Sequence, residues 1–257
     1  MILTIIGYIL AIAIGMSLGL IGGGGSVLAV PTLIYVMGVN SKEAITMTLI
    51  IVGIVSLIGI IPHWRQGNVN LKIATVFIPP AMLGTYIGAT LALLPFISDT
   101  FQLICFGIIM LLASILMIRK GSNKSEKNQI INHNKHRKKY QWLVIPAEGL
   151  GVGIVTGFVG VGGGFAIIPA LVLIGGIPMK EAIGTSLLII AFNSVTGVIK
   201  YLSHVSIDWQ LTIFFTLAAT IGTVSGAYLS RFIQAKELQK GFGYFVLAVA
   251  IFVLVRR

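Results

Sequence analysis

Residues 19–31 read GLIGGGGSVLAVP, and residues 157–169 repeat the pattern as GFVGVGGGFAIIP. The second copy lies 138 residues after the first, and the register holds without a gap as far as Leu49 and Leu187. Between residues 19–49 and 157–187, 12 of 31 positions are identical. Each copy places a glycine cluster and a proline in an apolar stretch, and both residue types interrupt helices. The chain therefore carries the same interrupted segment twice.

The composition is that of a membrane protein. Apolar residues make up 56% of the chain and charged residues 10%, with a mean hydropathy of +1.01, whereas soluble domains carry about 25% charged residues. Most of the apolar stretches reach the ~17–25 residues that a spanning helix needs. We predict an all-α polytopic membrane protein with about eight transmembrane segments, built from two homologous repeats whose first segments are broken by glycine.

A basic segment separates the two repeats. Residues 119–140 hold eight Lys and Arg residues among polar ones, between predicted repeats at 1–118 and 141–257. Basic loops stay on the cytoplasmic side of a membrane, so we expect a multi-pass protein of the inner membrane with a cytoplasmic linker. The formal net charge of +11 follows this pattern, and we do not expect nucleic acid as a partner.

The topology of each first segment stays open at this stage. An apolar stretch of ~34 residues would span ~51 Å as one helix, against ~30 Å of hydrocarbon. It is either one broken crossing, which gives parallel repeats, or a hairpin that enters and returns, which gives inverted repeats. Placing the linker inside leaves 13 of 18 basic residues inside for the first alternative and 14 of 18 for the second. The charge distribution does not decide between them.

The glycine clusters are the first candidate binding site. A half-helix that begins after such a cluster directs free N–H groups and a positive dipole at the break, which suits an anion. The alternative is that the glycines only permit a kink or close packing. The candidate residues from the two clusters are Gly22, Gly24, Gly25, Ser26, Gly160, Gly162, Gly163 and Gly164.

Polar residues in later segments extend this candidate site. Thr185, Ser186 and Asn193 lie on one predicted helix, and an Asn satisfies its own hydrogen bonds less easily than Ser or Thr does. A second group could form a basic vestibule or couple transport to protons, with interface anchoring as the alternative: His63, Arg65, Glu148, Lys200 and His204. The acids all lie at segment ends or in the linker, which disfavours a cation substrate. We predict no metal site and no cofactor.

The motifs also resemble a known family. The paired glycine–proline stretches, the Lys-Glu-Ala-Ile at residues 42–45 and 180–183, the Gly-Thr-Ser at 184–186 and the Ile-Asp-Trp at 207–209 are similar to those of the TauE/SafE sulfite exporters, also called 4-toluene sulfonate uptake permeases or DUF81. The resemblance covers nearly the whole chain apart from the linker. It implies an inner-membrane permease for sulfite or organosulfur anions such as sulfonates, driven by the proton gradient.

We therefore expect a secondary transporter whose partners are a small anionic substrate and the lipid bilayer. An anion channel on the same fold is an alternative, and a homo-oligomer is left open. An intramembrane enzyme using Ser26 with His63 is a third hypothesis, disfavoured because no acid is placed to orient the histidine. The chain is not expected to be an enzyme.

Overall fold

The fold is helical throughout the described residues. The computed structural model describes residues 2–94, 97, 99–122, 134–159, 163–202 and 205–255. Within these ranges the helices are α1 (Ile2–Ile21), α2 (Gly24–Tyr35), α3 (Ser41–Arg65), α4 (Leu71–Ala92), α5 (Asp99–Ser122), α6 (Asn134–Val159), α7 (Gly164–Pro169), α8 (Met179–Tyr201), α9 (Trp209–Leu229) and α10 (Ala235–Val255). A π-helical turn, Ala170–Ile174, continues α7. Helices α5 and α6 extend into both ends of the predicted linker.

Length and surface place these helices in a membrane. Five of the helices in the described ranges are long and apolar enough to cross a bilayer, namely α3, α4, α8, α9 and α10. Large apolar side chains cover the outside of the bundle, among them Ile9, Leu83, Ile199 and Ile221, each more than half exposed. Such a surface suits lipid rather than water. The chain is a multi-pass helical membrane protein.

The first interrupted segment is a hairpin. Gly25 at the start of α2 packs against Ile14, and Gly7 near the start of α1 packs against Met37, which follows α2. Helix α2 therefore runs back along α1 instead of continuing in the same direction. The chain reverses at Gly22, which has φ of 78°, a conformation that favours glycine. Of the two alternatives that the sequence leaves open, the structure has the segment that enters and returns.

The second interrupted segment also turns at its glycines. Helix α6 ends at Val159 and α7 begins at Gly164, after Gly163 with φ of 86°. A Cβ atom on Gly163 would lie 3.0 Å from Thr156 Oγ1 in the last turn of α6. The start of α7 therefore lies beside the end of α6. Gly160 and Gly162, two of the predicted site residues, lie outside the described residues.

Small residues pack the two halves of the chain together. Gly15 and Gly19 of α1 fit against Ala219 and Thr223 of α9. In the same way Gly153 and Gly157 of α6 fit against residues 81 and 85 of α4. Residue numbers rise together along both pairs, so the paired helices are parallel. Close backbone approach of this kind drives helix association in lipid, and it makes each half depend on the other for its packing.

Helices α3 and α8 form the centre and run antiparallel. Gly53 lies against Ser194, and nearer the end of α3 Gly59 lies against Leu187, nearer the start of α8. Both helices are largely buried along their apolar stretches, whereas α4, α9 and α10 are more exposed. Polar side chains on the inner faces of α3 and α8 are therefore shielded from lipid.

Candidate functional site

The two glycine clusters meet in space. A Cβ atom on Gly23 would lie 2.5 Å from the carbonyl carbon of Gly164, and a Cβ atom on Gly164 would collide with the Cα of Gly23. Both residues are buried. The tips of the two hairpins thus touch backbone to backbone, which only glycine allows at this separation. Interrupted backbone at membrane depth is tolerated where protein buries it in this way.

The start of α2 forms one side of this contact. Gly24 lies near the ring of Phe245, and Gly25 packs on the backbone of α1 at Ile14. The Ser26 hydroxyl donates a hydrogen bond of 2.8 Å to the carbonyl oxygen of Gly23. These contacts agree with the close-packing role of the glycines. They also hold the positive end of the α2 dipole at the tip.

Thr185 and Ser186 have structural partners. The Ser186 hydroxyl lies 2.7 Å from the carbonyl oxygen of Gly22 and 2.8 Å from that of Ile183. It therefore ties α8 to the turn of the first hairpin. The Thr185 hydroxyl oxygen accepts a hydrogen bond of 2.9 Å from the backbone N–H of Asn70. Both side chains position the backbone around the tips.

Asn193 is different because it has no partner. Its side chain is 1% exposed, and neither its Oδ1 nor its Nδ2 forms a hydrogen bond to a described residue. It lines a pocket with Thr85, Thr156 and Tyr201. Gly157, Gly197 and Leu49 complete the wall. We call this the Asn193 pocket.

The Asn193 pocket is closed in this conformation. It encloses about 210 Å³ of space between atoms, part of it open to the outside, and it is too narrow for a water-sized sphere. Thr85 Oγ1 is also buried without a hydrogen-bond partner among the described residues. The Thr156 hydroxyl donates to the carbonyl oxygen of Gly153 at 3.0 Å. The pocket thus joins three helices, α4, α6 and α8, through polar side chains.

Sequence reasoning missed Thr85 and Thr156 as members of this pocket. The signal that could have found them is the comparison between the two halves. The residues 138 positions before Thr156 and Asn193 are Leu18 and Val55. Polar residues that stand in one copy where the other has apolar ones mark a place where the halves do different work.

The predicted basic vestibule does not assemble at one place. His63 is 1% exposed, with Nε2 2.9 Å from the carbonyl oxygen of Gly19. Arg65 is exposed at the end of α3. The Nζ atom of Lys200 lies 4.8 Å from the centre of the Tyr86 ring, near the end of α8. Because α3 and α8 are antiparallel, Arg65 and Lys200 lie at opposite ends of the pair. His204 lies outside the described residues.

Glu148 lies inside the bundle. Both of its carboxylate oxygens are buried and form no hydrogen bond to a described residue. The neighbouring Gly149 packs on the backbone of α4 at Phe77. A carboxylate without a partner is costly in an apolar setting. Of the predicted coupling residues, His63 and Glu148 are therefore the two that the structure buries.

Two matched contacts join the helix ends, and sequence reasoning did not anticipate them. Asn70 Nδ2 donates to Glu181 Oε2 at 3.3 Å, at the start of α8. The backbone N–H of Asp208 donates to Glu43 Oε1 at 3.3 Å, at the start of α3. The second pair is the first shifted by 138 residues with the partners' roles retained. The Lys-Glu-Ala-Ile and Ile-Asp-Trp motifs are therefore in contact.

The chemistry of the described side chains is that of neutral hydrogen bonding. No group of three or more His, Cys, Asp or Glu residues that could hold a metal ion occurs within the described ranges. The described hydrogen bonds pair Ser26 and His63 with backbone carbonyls, so they do not form the nucleophile–base pair of the enzyme hypothesis.

Apolar helices, a lipid-facing surface and two glycine-tipped hairpins that meet define a multi-pass membrane protein of the transporter class. The chain belongs to the sulfite exporter TauE/SafE family, whose model matches residues 7–253. This finding confirms the resemblance seen in the motifs.

Relatives agree with this assignment. A protein of Xylella fastidiosa (strain 9a5c) named "Probable membrane transporter protein" is 33% identical over 247 residues, which cover 95% of this chain and 92% of that protein. The "Probable membrane transporter protein YunE" of Bacillus subtilis (strain 168) is 27% identical over 251 residues, covering 90% and 91%. No solved structure matches the chain.

Proposed function

We propose that this protein is a secondary transporter that carries a small anion, sulfite or an organosulfur anion such as a sulfonate, across the inner membrane. The observation that carries the proposal is the contact between Gly23 and Gly164. It brings the N-terminal ends of α2 and α7 to one place inside the bundle. Interrupted helices that meet there are the usual substrate site of secondary transporters.

The packing supports two inverted repeats. A hairpin followed by three long helices makes the number of crossings in each half odd. The parallel pairs α1 with α9 and α4 with α6, and the antiparallel pair α3 with α8, fit that arrangement. We infer that six helices cross the membrane and two hairpins enter it, in place of about eight crossings, with the linker at residues 119–140 on the cytoplasmic side.

A carrier fits the geometry better than a channel does. A carrier keeps its substrate path closed on at least one side, and here both the hairpin tips and the Asn193 pocket are tightly closed. Opening one side at a time would require the tips or the paired helices to separate. The contacts Asn70–Glu181 and Asp208–Glu43 lie where such a separation would begin, at the ends of the central helices.

Proton coupling completes the proposal. Glu148 and His63 are buried ionisable residues with unpartnered atoms, Oε1 and Oε2 in the first and Nδ1 in the second. Buried ionisable residues in membrane helices commonly serve proton transfer. We propose that one of them exchanges a proton during transport.

The test is flux of ³⁵S-labelled sulfite and of a labelled alkyl sulfonate into proteoliposomes, with and without an imposed pH gradient. Saturable flux that exceeds the flux into protein-free liposomes is the expected result. Intact, folded protein that moves neither anion would overturn the proposed substrate. Unitary currents in a planar bilayer would replace the carrier with a channel.

A further inference from the structure

The Asn193 pocket contains polar groups whose burial has a cost. Asn193 is 1% exposed and Thr85 3% exposed, and their side-chain atoms form no hydrogen bond to a described residue. Each buried polar group without a partner costs about 1–3 kcal/mol relative to a satisfied one. Native proteins keep few such groups, and each calls for a reason.

The other half of the chain shows that the fold does not need them. The matching position, 138 residues away, has Leu18 for Thr156 and Val55 for Asn193. Leu18 is 2% and Val55 1% exposed, so both are well packed. The counterpart of Thr85 is Thr223, whose hydroxyl donates to the carbonyl oxygen of Gly15 at 2.9 Å. The same helix contacts thus form there from apolar side chains and one satisfied hydroxyl.

The hydrogen-bond donors of the pocket indicate what it binds. The Asn193 amide offers two N–H groups and Thr85 one O–H. The Tyr201 hydroxyl is held only by a hydrogen bond of 3.4 Å to the carbonyl oxygen of Gly157, which is long for an O–H donor. These neutral donors suit the several oxygens of an oxyanion.

The pocket also adjoins the second hairpin tip. Thr156 lines the pocket and contacts Gly163, the residue that precedes α7. We propose that the Asn193 pocket binds the oxyanion headgroup of the substrate, so that the anion lies in the second half of the chain and not midway between the halves. This inference rests on the proposed transport function and assigns Thr85, Asn193 and Tyr201 as its hydrogen-bond donors.

Neutral donors suit a transporter. A lysine or arginine in a closed apolar site would hold an anion strongly and slow its release, whereas conduction needs binding that is weak enough to reverse. No Lys or Arg side chain lines the Asn193 pocket. Selectivity would then come from the number and direction of the donors, as in sites that stabilise developing oxyanions.

The experiment uses Asn193→Val, which installs the residue that the other half has at this position, together with Thr85→Val. Thr196→Val is the matched control, because Thr196 lies one turn along the same helix with its hydroxyl bonded to Phe192. Melting temperature is measured in detergent with sodium sulfite, with sodium methanesulfonate and with sodium chloride, and the KM for flux is measured in proteoliposomes.

We expect Asn193→Val to raise the melting temperature of the substrate-free protein by about 2–4 °C, because it removes buried unpartnered atoms. The same substitution should raise the KM at least ~10-fold and abolish the stabilisation by sulfite. Thr85→Val should weaken both to a smaller extent, and Thr196→Val should leave both unchanged. Loss of binding together with gain of stability is not expected of a structural residue.

Other results separate the two proposals. If the wild-type protein is stabilised and transports, while Asn193→Val and Thr85→Val behave like it, the pocket assignment is wrong and the transport function stands. A lower melting temperature with unchanged KM would make Asn193 structural. Stabilisation by sodium over choline, equal for all anions, would make the ligand a cation. No response of the wild-type protein to either sulfur anion would reject the proposed substrate itself.

Discussion

The imidazole of His63 lies 2.9 Å from the carbonyl oxygen of Gly19, in the last turn of α1. A carbonyl oxygen only accepts hydrogen bonds, so Nε2 of His63 carries the hydrogen. The residues 138 positions later repeat the contact, with the Tyr201 hydroxyl 3.4 Å from the carbonyl oxygen of Gly157. In each half, therefore, the long central helix satisfies a carbonyl that the end of the preceding interrupted segment leaves exposed.

The two contacts should differ in strength. His63→Phe removes the shorter hydrogen bond and leaves the Gly19 carbonyl unsatisfied, at an expected cost of about 1–3 kcal/mol. Tyr201→Phe removes the longer one and should cost less, because a bond of 3.4 Å contributes little. Thermal unfolding of the two variants in detergent measures the difference. Equal losses would mean that the two contacts are equivalent in solution.

The glycines at the hairpin tips should tolerate no side chain. Gly164→Ala places a methyl group against the backbone at Gly23, and overpacking of a closed contact costs about 1–3 kcal/mol. Gly151→Ala is the control, because nothing lies within 4 Å of a Cβ at that helical position. It should be neutral or stabilising by up to ~1 kcal/mol. Melting temperature and sulfite flux measure both effects, and an unchanged Gly164→Ala protein would mean that the tips do not touch.

Inverted repeats make a topological prediction. Lys72 and Gln210 occupy matching positions, 138 residues apart, and both are exposed near the starts of α4 and α9. In a Cys105→Ala background, Lys72→Cys and Gln210→Cys should react from opposite faces of the membrane with an impermeant maleimide. Labelling of intact cells and of inverted vesicles measures the faces. Labelling of both from one face would mean parallel repeats.

Glu148 should determine the response to the proton gradient. Glu148→Gln removes a buried carboxylate that has no described partner, so we expect an equal or higher melting temperature. Flux under an imposed pH gradient should fall to the level seen without the gradient. Glu237→Gln is the control, because Glu237 is exposed in the first turn of α10. Retention of the gradient response in Glu148→Gln would assign coupling elsewhere, with His63 as the next candidate.

The repeated motif predicted more of the fold than the hydropathy did. The register between Gly19 and Gly157 correctly paired contacts that the structure repeats, such as those of His63 and Tyr201. The charge count could not decide the topology, because a hairpin and a single broken crossing expose nearly the same number of basic residues. Only the contact of Gly25 with Ile14 shows that the chain reverses.

The candidate site was predicted in part. Asn193 stood out because an amide is hard to satisfy inside a membrane helix, and it is indeed buried without a partner. Thr185 and Ser186 looked alike in sequence, but their hydroxyls bond to Asn70 and Gly22. Partners that lie more than a hundred residues away are set by tertiary packing, and no local pattern contains them.

The inequality of the two halves has a consequence for the resting state of the protein. In the proposed inverted arrangement, exchanging conformations between the halves turns a cavity open to one face into a cavity open to the other. Identical halves would make these two orientations equal in free energy. Because Leu18 and Val55 stand opposite Thr156 and Asn193, the two orientations are unequal even without a membrane potential. The empty transporter therefore has a preferred side, encoded in its sequence differences.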